Sequence, residues 1–241
     1  MHDASPEARA LAGLAADLFD FVLFALLGFA FVNAYAPRQD LPWKPLSVDE
    51  PLGLATTWKL DRTLGTPGAC LAFLEREEVA FTRAADQDDG GFCVVRDAVL
   101  MGPQTARLSP ARPMMACELA AAFALWTRQV MQPAAEALLG QPVAEVDHYG
   151  VYACRRIYGQ TGGAPSRHAQ AEAIDIAGVR LSDGTRVTVL DDWDDPGPKG
   201  RFLHRIRDDG CRLFRVALSP DYNAEHRNHL HFDMSPYRLC R

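Results

Sequence analysis

The stretch Glu225-His226-Arg227-Asn228-His229-Leu230-His231-Phe232-Asp233 sets three of the chain's seven histidines within six residues. From His229 onward polar and apolar side chains alternate, the period-2 pattern of a strand with one polar and one apolar face. His229 and His231 therefore fall on one face, and Leu230 and Phe232 on the other. A strand built this way offers nitrogen ligands to a metal on one side while burying the other.

Working backward, Ser166-Arg167-His168 precedes Asp175 by a short interval. Ala173-Ile174-Asp175-Ile176-Ala177 reads as a buried strand carrying one carboxylate, and a charge in such a run is costly unless something compensates it. A divalent cation does so. Catalytic zinc commonly takes three N/O protein ligands and keeps a fourth position for water. His168, Asp175 and one imidazole of the C-terminal pair make such a set, leaving the other imidazoles as base or electrophile. Ser166 reads as a cap rather than a nucleophile, since no His-Asp relay surrounds it. His2, His148 and His204 are scattered and take no role. Gly162-Gly163 reads as a turn at the rim.

The chain carries 25 basic against 31 acidic residues, a net charge of −6, with no cluster of Lys or Arg. Nucleic acid is thereby set aside as a partner. The acidic run Asp191 to Asp195 reads as a solvated loop. All six cysteines lie between Cys70 and Cys240, none spaced C-x-x-C. That distribution suits disulfides in an oxidising compartment better than a thiolate metal site. Many connectivities are open; the expected one is Cys70–Cys93, Cys117–Cys240 and Cys154–Cys211.

Residues Phe21 to Val32 are unbroken apolar, and the wider stretch Leu11 to Ala36 is long enough to span a bilayer, although Asp17 and Asp20 are costly at mid-depth. The reading is an N-terminal membrane anchor; Ala34-Tyr35-Ala36 offers a cleavage site for the alternative, a removed secretory signal. Either exports the rest of the chain, and the anchor places it in the periplasm on the inner membrane. A Pro-bearing connector from Ala36-Pro37 through Pro51 follows; short and containing Trp43, it is expected to pack on the domain rather than dangle.

Helical periodicity is expected over 60–81, with Cys70, Leu71, Phe73 and Leu74 inward, and over 114–131 behind Pro113, with Trp126 in the core. A further helix from Pro133 stops near Gly140. Residues 86–91 read as a turn, 92–100 as a hairpin, and strands are expected at 146–157, 173–179, 186–190, 211–218 and 228–234. Lys199 to Arg207 reads as a helix with Phe202, Leu203 and Ile206 inward. The fold class is α+β, a mostly antiparallel sheet with helices, preceded by an N-terminal apolar helix. The chain divides into 1–40, anchor or signal; 41–140, mainly helical; and 141–241, the metal-site core.

Ser166-x-His168-x6-Asp175 followed by His226-x-x-His229-x-His231 resembles the zinc peptidases that cut D-amino-acid bonds in bacterial peptidoglycan and share a fold with the hedgehog signalling domain. More narrowly, Cys154-Arg155, the run Ser166 to Ile176, Cys211-x-x-Phe214, Leu218 to Asn223, the His cluster and Cys240-Arg241 resemble the extensin-like C-terminal domain proteins. The resemblance implies Zn²⁺ on His168, Asp175 and His231, with His229 and His226 beside it and Arg155 directed to the substrate. Glu225 rivals His226 as the second proton-handling group. Where the pattern has Gly three residues after the first His, this chain has Ala171, which is tolerated unless that position needs a positive φ.

The expected function is a zinc metallopeptidase, carboxypeptidase or endopeptidase, acting outside the cytoplasm on stem or cross-link peptides of peptidoglycan. The alternative is a non-catalytic zinc domain that binds peptidoglycan or an envelope protein.

Overall fold

A computed structural model describes residues 6–65 and 68–241; His2 lies outside them. In chain order the elements are α1 (Pro6–Tyr35), α2 (Thr56–Leu64), α3 (Ala69–Arg76), β1 (Phe81–Arg83), β2 (Gln87–Asp88), β3 (Val94–Val95), β4 (Ala98–Met101), β5 (Arg107–Ser109) and β6 (Met114–Ala116). There follow α4 (Cys117–Trp126), α5 (Gln132–Leu139), β7 (Val143–His148), β8 (Ala173–Leu181), β9 (Arg186–Thr188), α6 (Val189–Asp192), α7 (Pro198–Gly210), β10 (Val216–Leu218), β11 (Leu230–Asp233) and β12 (Leu239–Cys240). The fold is α+β with an N-terminal apolar helix.

The site rests on a seven-stranded sheet in the order β12-β10-β11-β8-β7-β5, with β9 beside β8. Its pairs are antiparallel except β10–β12 and β5–β7. Where β11 meets β8, His231 stands opposite Asp175, Leu230 opposite Ile176 and Phe232 opposite Ile174. Directly opposed residues share a face. One side of the β8–β11 pair is therefore polar, and the other is committed to the core.

That core side packs on α4 and α7. Phe232 stacks on Phe214 at 4.4 Å between centroids and meets Trp126 edge-on at 5.4 Å. Trp126 is fully buried and donates its indole N–H to the Ile206 carbonyl at 2.9 Å. Burying each such aromatic contributes roughly 1.5–3 kcal/mol through area alone. Phe202, Leu203 and Ile206 face inward from α7, matching their helical spacing. Gly140 takes a left-handed φ of 68° and ends α5, as a C-terminal glycine can.

Several expectations are corrected. The helical stretch over 60–81 is two helices, α2 beginning at Thr56 and α3 ending at Arg76, and Leu71 is only half-buried. Residues 114–116 form strand β6 before α4 begins, because Met114 to Ala116 pair with β4, so Pro113 does not start a helix. The hairpin is β2–β3, and β4 leaves it for a separate three-stranded sheet. After His148 no strand continues, and 149–156 runs as irregular chain. Leu190 stands in α6 rather than in a strand, and 211–215 precede β10. The acidic run is not a solvated loop: Thr188 caps α6, Asp192 accepts from the Thr188 amide, and Trp193 is buried. The connector packs on the body as expected, with Leu46 and Val48 in the core, while its Trp43 packs on Phe29 of α1. Between residues 41 and 140 lie strands as well as helices, and β5 joins the large sheet through β7, so sheet and core run across position 140.

All six cysteines are paired, as Cys70–Cys117, Cys93–Cys154 and Cys211–Cys240. None of the three expected pairings occurs. Tertiary contact explains each bond: α3 packs on α4, the β2–β3 hairpin meets the loop before Arg155, and β12 runs beside β10 just after the end of α7. Their Cα separations of 5.4–6.1 Å lie within disulfide reach. Three disulfides and an apolar N-terminal helix together point outside the cytoplasm.

Candidate metal centre and cavity

His168 sits in a 3₁₀ turn, Arg167–Gln170, capped by the Ser166 hydroxyl, which accepts from the His168 amide at 3.3 Å. The turn ends at Ala171, whose φ is +56°. This is the left-handed region that favours glycine, so Ala171 occupies a strained position. Its methyl is fully buried. The reversal there feeds the chain into β8, four residues before Asp175.

Two backbone and side-chain acceptors set the imidazoles. His168 donates Nδ1–H to the Val151 carbonyl at 2.9 Å, which turns Nε2 toward Asp175. That nitrogen is buried, has no hydrogen-bond partner, and stands 3.2 Å from Asp175 Oδ2. His231 is held the other way round, with Nε2 3.1 Å from Asp233 Oδ2 and Nδ1 2.8 Å from Asp175 Oδ1. Asp233 is itself fixed, accepting from the Ser235 amide at 2.8 Å. Opposite nitrogens of the two rings thus converge on one carboxylate, and the three donor atoms lie within 4.8 Å of one another.

An unpartnered buried imidazole nitrogen aimed at a carboxylate is the arrangement a cation completes, and a two-His, one-Asp set of N and O donors is the chemistry of a divalent site. The residues fit such an ion. The Val151 carbonyl and Asp233 then act as the outer partners that orient ligating imidazoles.

Charge follows from the same contacts in the metal-free protein. Burial alone raises the Asp175 carboxyl, but the His168 and His231 rings outweigh it and hold it far below the usual carboxylate range. For His231, burial pushes down while Asp175 and Asp233 raise it to about 9.

Two further imidazoles adjoin the cluster. His226 is buried, 5.1 Å from His229 and 5.8 Å from His231 between ring centroids. Its Nδ1–H donates to Asn223 Oδ1 at 2.6 Å, and that amide is oriented because the same oxygen accepts from the Glu225 backbone while Nδ2 donates to Tyr158. His229 donates Nδ1–H to Asn228 Oδ1 at 2.9 Å, with Nε2 3.5 Å from Asp175. Burial, then the neighbouring His231 and His229, lower His226 to about 4; burial also lowers His229, against the pull of Asp175. Both rings are neutral at pH 7 with Nε2 as acceptor.

A cavity of about 880 Å³ opens over these groups, its rim carrying Arg155, Tyr158, Tyr222, Glu225 and Tyr237. Arg155 faces it and lies near enough to His229 to depress that ring. Arg156 turns away over Phe92 and donates to the Gly163 carbonyl. The two neighbours lie on a loop in which Arg156 makes a single bridge to Pro165. Glu225 is exposed at the rim, whereas His226 is buried beside the cluster. His148, on the strand beside β8, is bonded to the Pro110 carbonyl, and His204 packs on Trp193.

The structure therefore brings together His168, Asp175, His231, His229, His226 and Arg155. Sequence reasoning assigned no part to Asp233, Asn223, Asn228 or the Val151 carbonyl. The first was signalled by its place two residues beyond His231 on one strand face, Asn228 by adjacency to His229.

An α+β domain whose sheet carries a two-His, one-Asp cluster under a histidine-lined cavity is the class so defined. The family model for the extensin-like protein C-terminus matches residues 68–241, and the chain belongs to that family. No curated protein and no solved structure matches the chain.

Proposed function

We propose that this protein is a zinc-dependent hydrolase that cleaves peptide bonds of peptidoglycan stem or cross-link peptides outside the cytoplasm. In this reading its site and fold are of the hedgehog and D,D-peptidase kind, to which the motif Ser166-x-His168-x6-Asp175 with His226-x-x-His229-x-His231 is similar. The observation that carries the proposal is the convergence of His168 Nε2 and His231 Nδ1 on Asp175, with two neutral imidazoles left over beside them. Ligands alone are compatible with a silent site; spare, oriented acceptors are what chemistry needs.

His168, Asp175 and His231 would hold zinc, which would supply Lewis acidity toward a scissile carbonyl and a bound water. His229 accepts a proton at Nε2, because Asn228 occupies its Nδ1. His226 is oriented likewise by Asn223 and relays or returns that proton at its own Nε2. Arg155 binds a substrate carboxylate or developing oxyanion through its guanidinium. Glu225, exposed at the rim, contacts substrate rather than handling the proton.

We read α1 as an uncleaved anchor in the inner membrane with the domain in the periplasm. Gly13–Tyr35 forms 23 residues of helix apolar on every side and unburied by the rest of the protein, the property of a membrane span. Asp17 and Asp20 fall within the first two or so turns of that span, where a carboxylate reaches the interface.

Because a ligating imidazole must be neutral and His231 is held protonated up to about 9, zinc binding at pH 7 is expected to release about one proton per chain. Titration calorimetry in buffers of different ionisation enthalpy reads this directly. Binding without proton release would remove His231 from the ligand set.

The function is tested by incubating the zinc-loaded protein with intact sacculi and with defined cross-linked muropeptides, followed by mass spectrometry. New fragments are expected. Retention on sacculi with no bond cut at any metal loading would replace the hydrolase by a peptidoglycan-binding zinc domain.

A further inference from the structure

A second surface is argued from the junction between α1 and the body. One face of α2 turns inward, with Thr56, Lys59, Leu60 and Leu64 buried. Leu54 and Trp58 do not: they are 89% and 49% exposed. Leu54 stands in the turn that leads into α2, and Trp58 in the helix's first turn. Arg62, a further turn on, lays its guanidinium 5.4 Å from the centre of the Trp58 ring. The result is a bare apolar stripe where the chain enters α2, a helix that otherwise packs toward the core.

This stripe is bonded to the start of the connector that leaves α1. The Leu54 amide donates to Asp40 Oδ1 at 2.7 Å, Lys59 Nζ donates to the Arg38 carbonyl at 2.7 Å, and Arg38 pairs with Glu50 at 2.8 Å. The connector also folds back on the helix: Trp43 packs 5.1 Å from Phe29 and donates its indole N–H to Asn33 Oδ1 at 3.1 Å. On the other side Thr57 donates to the Arg212 carbonyl at 2.8 Å and Arg212 donates to the Gly53 carbonyl at 2.8 Å. The body is thus fixed to the helix end rather than tethered by a loose linker.

The arithmetic places the stripe at the bilayer boundary. The span's 23 residues give about 34 Å of helix, slightly more than the roughly 30 Å hydrocarbon layer, which sets Tyr35 at headgroup level. Tyr35 to Asp40 can extend no more than about 17 Å, and Leu54 is one hydrogen bond from Asp40. Tyr35, Trp43 and Trp58, all exposed, then lie around the end of one span, where aromatic rings are favoured.

We propose that Leu54 and Trp58 form a membrane-docking face that enters the headgroup boundary of the bilayer crossed by α1, with Leu54 and the Trp58 ring toward the acyl chains. The proposal rests on the anchor reading of α1. Docking holds the domain at one height and one tilt over the membrane, so the cavity works at a set distance from it.

The test uses the full chain in nanodiscs of phosphatidylethanolamine and phosphatidylglycerol brominated on the acyl chain near the headgroup. Of the four tryptophans, Trp126 and Trp193 are buried in the core and form a constant background. Comparison of the wild type with Trp58→Phe and Trp43→Phe isolates the two exposed rings. Loss of the Trp58 emission component to bromine, alongside that of Trp43, is the expected result. Quenching of Trp43 without Trp58 overturns the docking face and leaves the anchor standing. Quenching of neither overturns both. A Trp58 component shielded from aqueous acrylamide yet untouched by bromine assigns the face to a second protein and also overturns the proposal.

Discussion

Asn in place of Asp175 is expected to lower zinc affinity by more than about 100-fold, beyond the loss typical of an outer partner. Asp175 is the one carboxylate on which His168 Nε2 and His231 Nδ1 converge, at 3.2 and 2.8 Å, so without its charge two neutral nitrogens remain to hold a dication. In the metal-free protein the change also breaks a buried ion pair, which costs about 3–5 kcal/mol. The sign follows from His231. Its raised value supplies stability that is full below its unfolded value near 6.5 and is lost as pH climbs through about 9, so the deficit is largest below about 6.5, shrinks between there and about 9, and is mostly gone above it. Elemental analysis reads the metal, and circular dichroism reads the fold. His168→Gln, which spares the Asp175–His231 pair, keeps the test usable if the Asn variant fails to fold. A well-folded wild type without metal, or unchanged metal content in both variants, would sink the site.

His229→Ala is expected to cut muropeptide hydrolysis by roughly 10²–10⁴-fold while leaving zinc content nearly intact. The ring is set by Asn228 with Nε2 free and faces Asp175 at 3.5 Å, but it is not one of the three converging donors. Removing it deletes a proton acceptor and spares the ligand set. Retention on sacculi is expected to survive. Equal loss of zinc and of activity would instead make His229 a ligand, and an unchanged rate would move the proton-accepting role to His226 or Glu225.

Much of the site was legible because its cause is local. The period-2 alternation around His231 dictates which side chains share a face, and β11 pairs with β8 so that His231 meets Asp175. The apolar run around Asp175 demanded compensation for its charge wherever it folded. Ser166 capping the turn that carries His168 follows from the chemistry of a hydroxyl at a helix start. The Ala171 position was legible only as a condition, and its φ of +56° shows that the condition applies.

Other features were opaque because their causes lie far away in the chain. Val146 onward was read as one strand, yet after His148 the chain is held by the Cys93–Cys154 bond and by the His168 carbonyl, which accepts from the Ala153 amide at 3.0 Å. Met114 to Ala116 carry helical periodicity but are captured by β4, since pairing overrides propensity.

By itself, then, the amino-acid sequence determined the apolar N-terminal helix, the α+β class, the two histidine-bearing segments and the oxidised state suited to six cysteines, since each depends on composition or on spacing within a few residues. The tertiary structure alone decided which cysteines bond, that Asp233 rather than another group orients His231, that His226 is buried while Glu225 is exposed, and that Leu54 and Trp58 lie bare at the foot of α1. Each of those depends on which distant segments share one volume, and that is set by packing the whole core rather than by any local pattern.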